Sequence, residues 1–276
     1  MSVITFWNDS KGRIGQTSSI IAISAYLAIK RNLKILLLST GCDDETLKTS
    51  FGLNLNSGIA TKQNDLSIDA GIQGIYKRVL SNRLTPDGIK NYAKTIYKDR
   101  FDIIEGVDSN ASADYERIYG TYKEVIDTAN KIYDIVFVDL SRGMSEANKI
   151  ILNRSDLIVV NTEQNINEIN KFEELKSIEP ILQGNNVLLL LDRCDKDSKY
   201  NAKNVSRQIK IKTNALTVLY NTLFNEAMQE GTVDDFILNP LFKKVQENDI
   251  NAMFFDELQK DIDIIDFKLK ELHVRR

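Results

Sequence analysis

Short apolar runs alternate with longer amphipathic stretches along the chain, and this alternation predicts the order of the secondary structure. Six runs predict strands, and most of them are continuously apolar, as expected for strands that are buried on both faces of a parallel sheet. They lie at Ser2 to Phe6, Lys34 to Leu38, Ile135 to Leu140, Leu157 to Asn161, Val187 to Leu191 and Ala215 to Tyr220. The stretch from Thr17 to Asn32 predicts a buried helix between the first two strands. Strands that alternate with helices form right-handed crossovers, so we predict an α/β fold with a doubly wound, mainly parallel sheet flanked by helices.

The region from about Phe51 to Lys131 has a weaker pattern. Ile72 to Leu80 and Asp114 to Lys131 are predicted to be helices, and Phe101 to Ile104 a short strand. The segment Thr85 to Gly88 predicts a turn, because its Pro and Gly are each placed for one. We assign this region to the same domain as the rest, which predicts a single domain over residues 1–276.

The C-terminal segment predicts an amphipathic helix over about residues 254–273. Its apolar residues recur at helical spacing and share one face: Phe254, Leu258, Ile262, Ile265, Leu269 and Leu272. The simplest interpretation is a helix packed on the sheet, and a partner-binding helix or a membrane-lying helix are the alternatives. A membrane-lying helix would need a polar face rich in Lys and Arg, whereas this one carries Asp256, Glu257, Asp261, Asp263 and Asp266.

Composition excludes several classes of protein. The chain has 276 residues, of which 42% are hydrophobic, and 36 Lys and Arg against 39 Asp and Glu give a net charge of -3, which is unlike a disordered chain. Two cysteines (Cys42 and Cys194) and one histidine (His273) exclude a disulfide framework, a Cys/His zinc site and Ser-His or Cys-His catalysis. No apolar run approaches the roughly 20 residues that span a bilayer, and no secretory pattern is present. We therefore expect a soluble, cytoplasmic protein that is not integral to a membrane.

The segment after the first strand has the architecture of a phosphate-binding loop. Two glycines lie between the strand and a helix that opens on Thr-Ser, so backbone N–H groups and the positive end of the helix would face an anion. Against the pattern G-x-x-x-x-G-K-[ST], Gly15 and Thr17 match, whereas Ser10 replaces the first glycine and Gln16 replaces the lysine. The loop residues predicted to bind a nucleotide are Ser10, Lys11, Gly12, Arg13, Ile14, Gly15, Gln16, Thr17 and Ser18. The alternative is a strand–loop–helix connection with accidental glycines.

Lys11 and Gly12 lie where one subclass of these loops has them. The stretch resembles the deviant Walker A loop, K-G-G-x-G-K-[ST], of the ParA/MinD family of P-loop ATPases, although Arg13 departs from the second glycine. Other segments resemble the family in the same order: Tyr133 to Asp139 its Walker B strand, Arg154 to Val160 and Val187 to Arg193 two further strands, and Tyr220 to Gly231 its closing region. The resemblance covers nearly the whole chain.

The resemblance implies ligands and partners. It implies ATP and Mg²⁺, with the metal held by Thr17 and Asp139, and a homodimer in which Lys11 acts on the nucleotide of the partner. It also implies a protein partner from an assembly or partition system, with DNA as a further candidate.

Three departures from the family pattern concern hydrolysis. Gln16 lacks the ammonium group with which the family's lysine contacts the phosphates. Gly41 lies where the family has the second carboxylate of D-x-D, which helps to orient the attacking water. Asp43 and Asp44 are two to three residues beyond that position. Asp192 replaces the asparagine that reads adenine, and a carboxylate is only an acceptor. Together these departures predict weak or absent hydrolysis.

The leading hypothesis is a non-canonical ParA/MinD-like protein that positions or scaffolds other components. The loss of the loop lysine with the early lysine retained resembles the TadZ/CpaE branch, which marks sites for pilus assembly. One alternative is a DNA-binding partition ATPase of ParA type, with a basic surface made by Lys199, Lys203, Arg207, Lys210 and Lys212. The other is an interaction module whose nucleotide site is vestigial.

Overall fold

The computed structural model describes residues 1–10, 12, 14–42, 45–53, 71–107, 115–195, 197–210, 215–242 and 249–274. The strands are β1 (Ser2–Trp7), β2 (Ile35–Ser39), β3 (Lys94–Tyr97), β4 (Phe101–Ile104), β5 (Ile135–Asp139), β6 (Leu157–Glu163), β7 (Val187–Cys194) and β8 (Leu216–Leu219). The helices are α1 (Gln16–Lys30), α2 (Thr46–Ser50), α3 (Gly71–Leu80), α4 (Pro86–Ile89), α5 (Tyr115–Tyr119), α6 (Tyr122–Ala129), α7 (Glu146–Arg154), α8 (Ile166–Ile178), α9 (Ala202–Gln208), α10 (Thr222–Glu230), α11 (Val233–Phe242) and α12 (Ile250–Val274). Single turns of 3₁₀ helix lie at Lys90–Tyr92 and Pro180–Leu182.

The strands form one sheet in the order β3-β4-β2-β5-β1-β6-β7-β8. All neighbouring strands are parallel except β3, which pairs with β4 in the antiparallel sense. The strand β1 pairs with β5 on one side and β6 on the other, so the order of the sheet reverses beside the central strand. The predicted α/β, doubly wound, mainly parallel fold is confirmed.

Helices cover both faces of the sheet. One apolar core joins the sheet to α1, α2, α10, α11 and α12, and a second core joins the opposite face to α3 through α9. Successive residues of a strand enter different cores, as Val3 and Ile4 do in β1, because strand side chains alternate between faces. The continuous apolar runs in the sequence are therefore the runs that are buried on both sides.

The six predicted strands and the strand at Phe101 to Ile104 are present, with small differences at their ends. The strand β3 was not predicted. The predicted turn at Thr85 to Gly88 is wrong, because this segment starts α4: the Thr85 side chain accepts a hydrogen bond from the N–H of Gly88 (3.1 Å) and Pro86 occupies the first turn. Of the helix predicted from Asp114 to Lys131, Asp114 lies outside the described residues. The remainder forms α5 and α6, which are separated at Gly120.

The C-terminal helix α12 begins at Ile250, earlier than the predicted start near residue 254. Its apolar face is buried, from Phe254 to Leu269, and it packs against α1 and β8. The buried Asp261 carboxylate accepts a hydrogen bond from the N–H of Thr217 (3.0 Å), a backbone group of the edge strand β8. No helix in the described part of the chain combines the length and hydrophobicity needed to cross a bilayer.

Candidate functional site

The loop between β1 and α1 lies at the carboxyl end of the central strand, where the sheet order reverses and where open α/β sheets bind ligands. Gly15 precedes the helix in a left-handed conformation (φ 97°), which only glycine adopts readily, and it carries no side chain to cap the helix. A Cβ built on the exposed Gly12 would have no neighbour within 4 Å, so the loop is open at this point. Lys11 and Arg13 lie outside the described residues. An open glycine cradle at a helix N-terminus fits a phosphate group.

The Gln16 side chain closes a hydrogen-bond network beneath this loop. Its amide donates to Asp139 Oδ1 (2.6 Å) and to the carbonyl oxygen of Leu140 (2.8 Å), and its Oε1 accepts from Asn8 Nδ2 (2.6 Å). The Leu140 carbonyl can only accept, so the orientation of the amide is determined by its partners. Gln16 is 7% exposed, and both of its N–H donors are used within the protein. A neutral amide therefore lies at the position where the sequence resemblance predicts a lysine.

The two residues predicted to hold Mg²⁺ are adjacent. Thr17 Oγ1 donates to Asp139 Oδ2 at 2.8 Å, while the other oxygen of this buried carboxylate accepts from Gln16. Hydroxyl and carboxylate oxygens are suitable magnesium ligands, so the donor set fits the ion chemically. A metal ion bound directly at Oδ1 would have to displace the Gln16 amide.

The start of the loop is tied to α8. Ser10 Oγ donates to Glu168 Oε2 (2.5 Å), and the backbone N–H of Ser10 donates to Asn8 Oδ1 (3.0 Å). Lys171 donates to the carbonyl oxygen of Asp9 (2.6 Å) and forms an ion pair with its carboxylate (3.7 Å). The Ser10 hydroxyl is therefore directed to the helix. Further along, the Ile14 side chain is buried and Ser18 is half-buried in the first turn of α1.

Asp192, predicted to contact a base, lies within the protein and is 2% exposed. Its carboxyl accepts a short hydrogen bond from Ser19 Oγ and accepts from Asn161 Nδ2 at 3.0 and 3.1 Å. Burial raises the pKa of Asp192 to about 8, although these hydrogen bonds lower it, so the carboxyl is largely neutral at pH 7 rather than the charged acceptor that the sequence predicts. A contact between this carboxyl and a base would require it to leave Ser19 and Asn161. Base recognition by Asp192 stays a prediction.

Arg193 follows Asp192 in the chain, and its exposed side chain reaches the loop. A Cβ built on Gly15 would lie 3.3 Å from Arg193 Nε and 3.5 Å from Arg193 Cγ. The arginine side chain therefore lies directly against the last residue of the loop. It belongs to the sequence segment that resembles the family's base-contacting pair.

Tyrosine hydroxyls lie near the end of β2, where the sequence resemblance predicts a second carboxylate. Tyr119 makes a short hydrogen bond to Asn148 Oδ1 and lies 3.0 Å from Ser141 Oγ, while Tyr115 donates to the carbonyl oxygen of Thr40 (3.1 Å). Gly41 makes a backbone contact instead, since its carbonyl oxygen accepts from the N–H of Val107 (2.9 Å). Asp43 and Asp44 lie outside the described residues.

Tyr122 also belongs to this group, since its hydroxyl donates to the carbonyl oxygen of Ser39 (3.1 Å). Burial is the largest effect on each of the three tyrosines. It raises the pKa of Tyr115 to about 12 and raises the pKa of Tyr119 and Tyr122 above the ordinary value. The hydroxyls therefore stay protonated at neutral pH. They can donate hydrogen bonds but cannot act as general bases.

The structure brings together most of the site residues predicted on the described part of the chain: the loop, Thr17, Asp139 and the segment at Asp192. Sequence reasoning missed the groups that hold them, which are Asn8, Ser19, Asn161, Glu168 and Lys171. Asn161 and Glu168 lie on β6 and α8, far along the chain from the loop, and no motif marks them.

The predicted basic surface lies on and beside α9. Lys203 and Arg207 are exposed one helical turn apart on α9, and Lys199 and Lys210 are exposed beside the helix. The Lys199 ammonium lies 5.0 Å from the centre of the Tyr200 ring. Lys212 lies outside the described residues.

No family model matches the chain, and no curated protein matches its sequence. Solved structures are similar over almost the full length. A ParA family ATPase from Chlorobium tepidum is 15% identical with a TM-score of 0.63, covering 97% of this chain and 98% of that one. A putative plasmid partition protein from Borrelia burgdorferi, bound to AMPPNP, is 17% identical with a TM-score of 0.63, covering 98% and 99%. The septum site-determining protein MinD from Pyrococcus horikoshii, complexed with Mg-ADP, is 14% identical with a TM-score of 0.63, covering 95% and 96%. The chain therefore has the fold of the ParA and MinD ATPases.

Proposed function

We propose that this chain, which shares the fold of ParA and MinD ATPases, binds ATP, hydrolyses it weakly or not at all, and acts as a positioning or scaffolding factor. The observation that carries the proposal is the Gln16 amide, which bridges Asn8, Asp139 and the Leu140 carbonyl where a catalytic lysine is expected.

The first argument concerns charge. Phosphoryl transfer is catalysed largely by positioning and by positive groups that stabilise charge on the phosphate oxygens. A neutral amide supplies no such charge, and both N–H donors of Gln16 are already bonded, to Asp139 and Leu140. Loss of one positioned electrostatic group lowers turnover by roughly 10²–10³-fold in enzymes that depend on it.

The second argument concerns the attacking water. Gly41 lies where the resemblance places the water-orienting carboxylate, and the side chains described around Thr40 there include the hydroxyls of Tyr115 and Tyr119. Because burial raises the pKa of both phenols, they remain protonated near pH 7 and accept no proton from water. This second loss affects a different step of catalysis from the first.

Nucleotide binding has separate support. The left-handed Gly15, the open space at Gly12 and the helix N-terminus would hold phosphates through backbone N–H groups, which need no lysine. A bound Mg²⁺ would neutralise phosphate charge. We propose that Thr17 and Asp139 hold it more weakly than in an active enzyme, because Gln16 competes for Asp139.

The scaffolding role extends the same reasoning. A protein that binds ATP without turning it over would remain in one nucleotide state and would serve as a persistent mark. We propose that it acts as a single-domain homodimer with Lys11 at the interface, and that a protein of a pilus-assembly (TadZ/CpaE-like) or partition system binds to it.

The test is isothermal titration calorimetry with ATP·Mg²⁺ on wild type and Gln16→Lys. Gln183→Lys, the same chemical change at an exposed position, is the matched control. We expect micromolar or tighter binding by wild type and the control, and binding at least about tenfold tighter in Gln16→Lys, since one added charge-assisted contact contributes roughly 1.5–3 kcal/mol. Absence of binding in both wild type and Gln16→Lys would support a vestigial site in an interaction module instead.

A second candidate function is non-specific DNA binding by a partition protein. The supporting observation is the exposure of Lys199, Lys203, Arg207 and Lys210 along one segment of the surface. Asp195 and Asp197 are exposed in the same region and oppose this charge. Fluorescence anisotropy with duplex DNA at several salt concentrations tests it, because binding through phosphate contacts weakens steeply with salt.

A further inference from the structure

Arg193 is an exposed cation in contact with the phosphate loop. If Gly15 carried a Cβ, that atom would lie 3.3 Å from Arg193 Nε and 3.5 Å from its Cγ, so the aliphatic stem and the start of the guanidinium run along the edge of the loop. Gly15 precedes α1 directly, and the contact therefore puts the guanidinium beside the helix terminus that faces a bound phosphate.

The backbone directs Arg193 to this position. The pairing of β7 with β8 is irregular between Leu191 and Cys194, and Arg193 has a φ of 50°, in the left-handed region that side-chain-bearing residues rarely adopt. Irregular register of this kind re-aims a side chain out of the sheet. Its neighbours Asp192 and Cys194 are buried, whereas Arg193 is exposed.

The guanidinium is not used elsewhere in the described structure. Within the described ranges, no ion pair or side-chain hydrogen bond joins Arg193 to another residue, although nearby lysines such as Lys171 do have acidic partners. The Asp192 carboxyl beside it is directed inwards, to Ser19 and Asn161. Burial raises the pKa of this carboxyl to about 8, so at neutral pH it offsets the charge of Arg193 only in part.

We propose that Arg193 binds the phosphates of the nucleotide from β7 and supplies in cis a positive charge for nucleotide binding, from a different side of the loop than Gln16. The proposal rests on the nucleotide binding proposed above. It assigns Arg193 to the phosphates rather than to the base, because the contact is with the glycine of the phosphate loop. The planar guanidinium suits this role, since it can donate two parallel hydrogen bonds to phosphate oxygens.

The experiment measures the affinities of adenosine, ADP and ATP by calorimetry on wild type, Arg193→Gln and Arg193→Lys. Arg193→Gln keeps most of the length and a donor but removes the charge, and Arg83→Gln removes an exposed arginine elsewhere as the control. We expect Arg193→Gln to weaken ATP binding by about 10- to 100-fold, as for loss of a charge-assisted contact, and ADP binding by less. Adenosine binding should change by less than about twofold, and Arg193→Lys should recover part of the ATP affinity. The thermal midpoints should match wild type, because the side chain is exposed.

Three results would overturn the proposal, and they are distinguishable. An equal loss for adenosine and ATP would make Arg193 a base contact. Unchanged ATP affinity in Arg193→Gln, with clear binding by wild type, would refute the role of Arg193 and leave the proposed function standing. Failure of wild type to bind any of the three ligands would refute both.

Discussion

The buried carboxyl of Asp192 predicts how the stability of the protein depends on pH. Burial raises its pKa from 3.8 to about 8, and the hydrogen bonds from Ser19 and Asn161 offset this only in part. The folded state therefore retains a proton that the unfolded chain releases between about pH 4 and pH 8. Stability that this proton provides is fully present below about pH 4 and is lost as pH rises towards 8.

The size of the effect follows from one proton. Across this window the free energy of unfolding falls by ~1.4 kcal/mol per pH unit on account of Asp192. Asp192→Asn replaces the carboxyl by a neutral amide of nearly the same shape, which does not titrate. Relative to wild type, the free energy of unfolding of the variant should rise by about 3 kcal/mol between pH 5 and pH 7. For a chain of 276 residues this corresponds to about 5 °C in thermal midpoint.

Urea unfolding at pH 5, 6, 7 and 8, with Asp99→Asn at an exposed turn as the control, measures this difference. The buried Asp261 has a pKa raised in the same direction, but it is present in both proteins, so its contribution cancels in the difference. A constant difference between Asp192→Asn and wild type from pH 5 to pH 8 would mean instead that Asp192 is charged in the folded protein.

Three further variants test other contacts. Gly106→Ala would place a Cβ 2.1 Å from the carbonyl oxygen of Gly41, so we expect urea unfolding to show a loss of about 1–3 kcal/mol; unchanged stability would refute this close approach. Tyr119→Phe removes a buried hydroxyl shared by several partners and should cost about 1–3 kcal/mol in the same assay, and a loss below ~0.5 kcal/mol would contradict the network. If the exposed surface of α9 binds DNA, Lys203→Ala with Arg207→Ala should reduce the slope of log affinity against log salt by about 1.8, measured by anisotropy; an unchanged slope would exclude these two as phosphate contacts.

The sheet was predictable because its parallel strands are short, continuously apolar and separated by helices. The edge strand β3 was not, because Lys94–Tyr97 is partly exposed and mixes polar with apolar residues, so it lacks the pattern of a buried strand. The start of α4 did carry a signal. Thr85 before Pro86 is a helix N-cap followed by proline in the first turn, and this combination outweighs the glycine that indicated a turn.

The candidate site was predictable as far as its motifs extend. Gly15, Thr17 and Asp139 follow from local patterns at the ends of strands, and their closeness follows from the parallel sheet. The hydrogen bonds of Gln16 could not be predicted, because one partner, Asp139, lies 123 residues away in the chain. No sequence pattern places these two side chains in contact. The same applies to Asp192, whose inward orientation depends on Asn161 and Ser19.

The rate of phosphate release at saturating ATP·Mg²⁺, compared between wild type, Gln16→Lys and Lys11→Ala, shows whether Gln16 limits catalysis. Wild type should bind ATP but turn it over at least about tenfold more slowly than Gln16→Lys, because one restored electrostatic contact is worth that much or more. Lys11→Ala should lower whatever turnover remains. Wild-type turnover equal to that of Gln16→Lys and unaffected by Lys11→Ala would contradict the claim that this site has lost catalysis through Gln16.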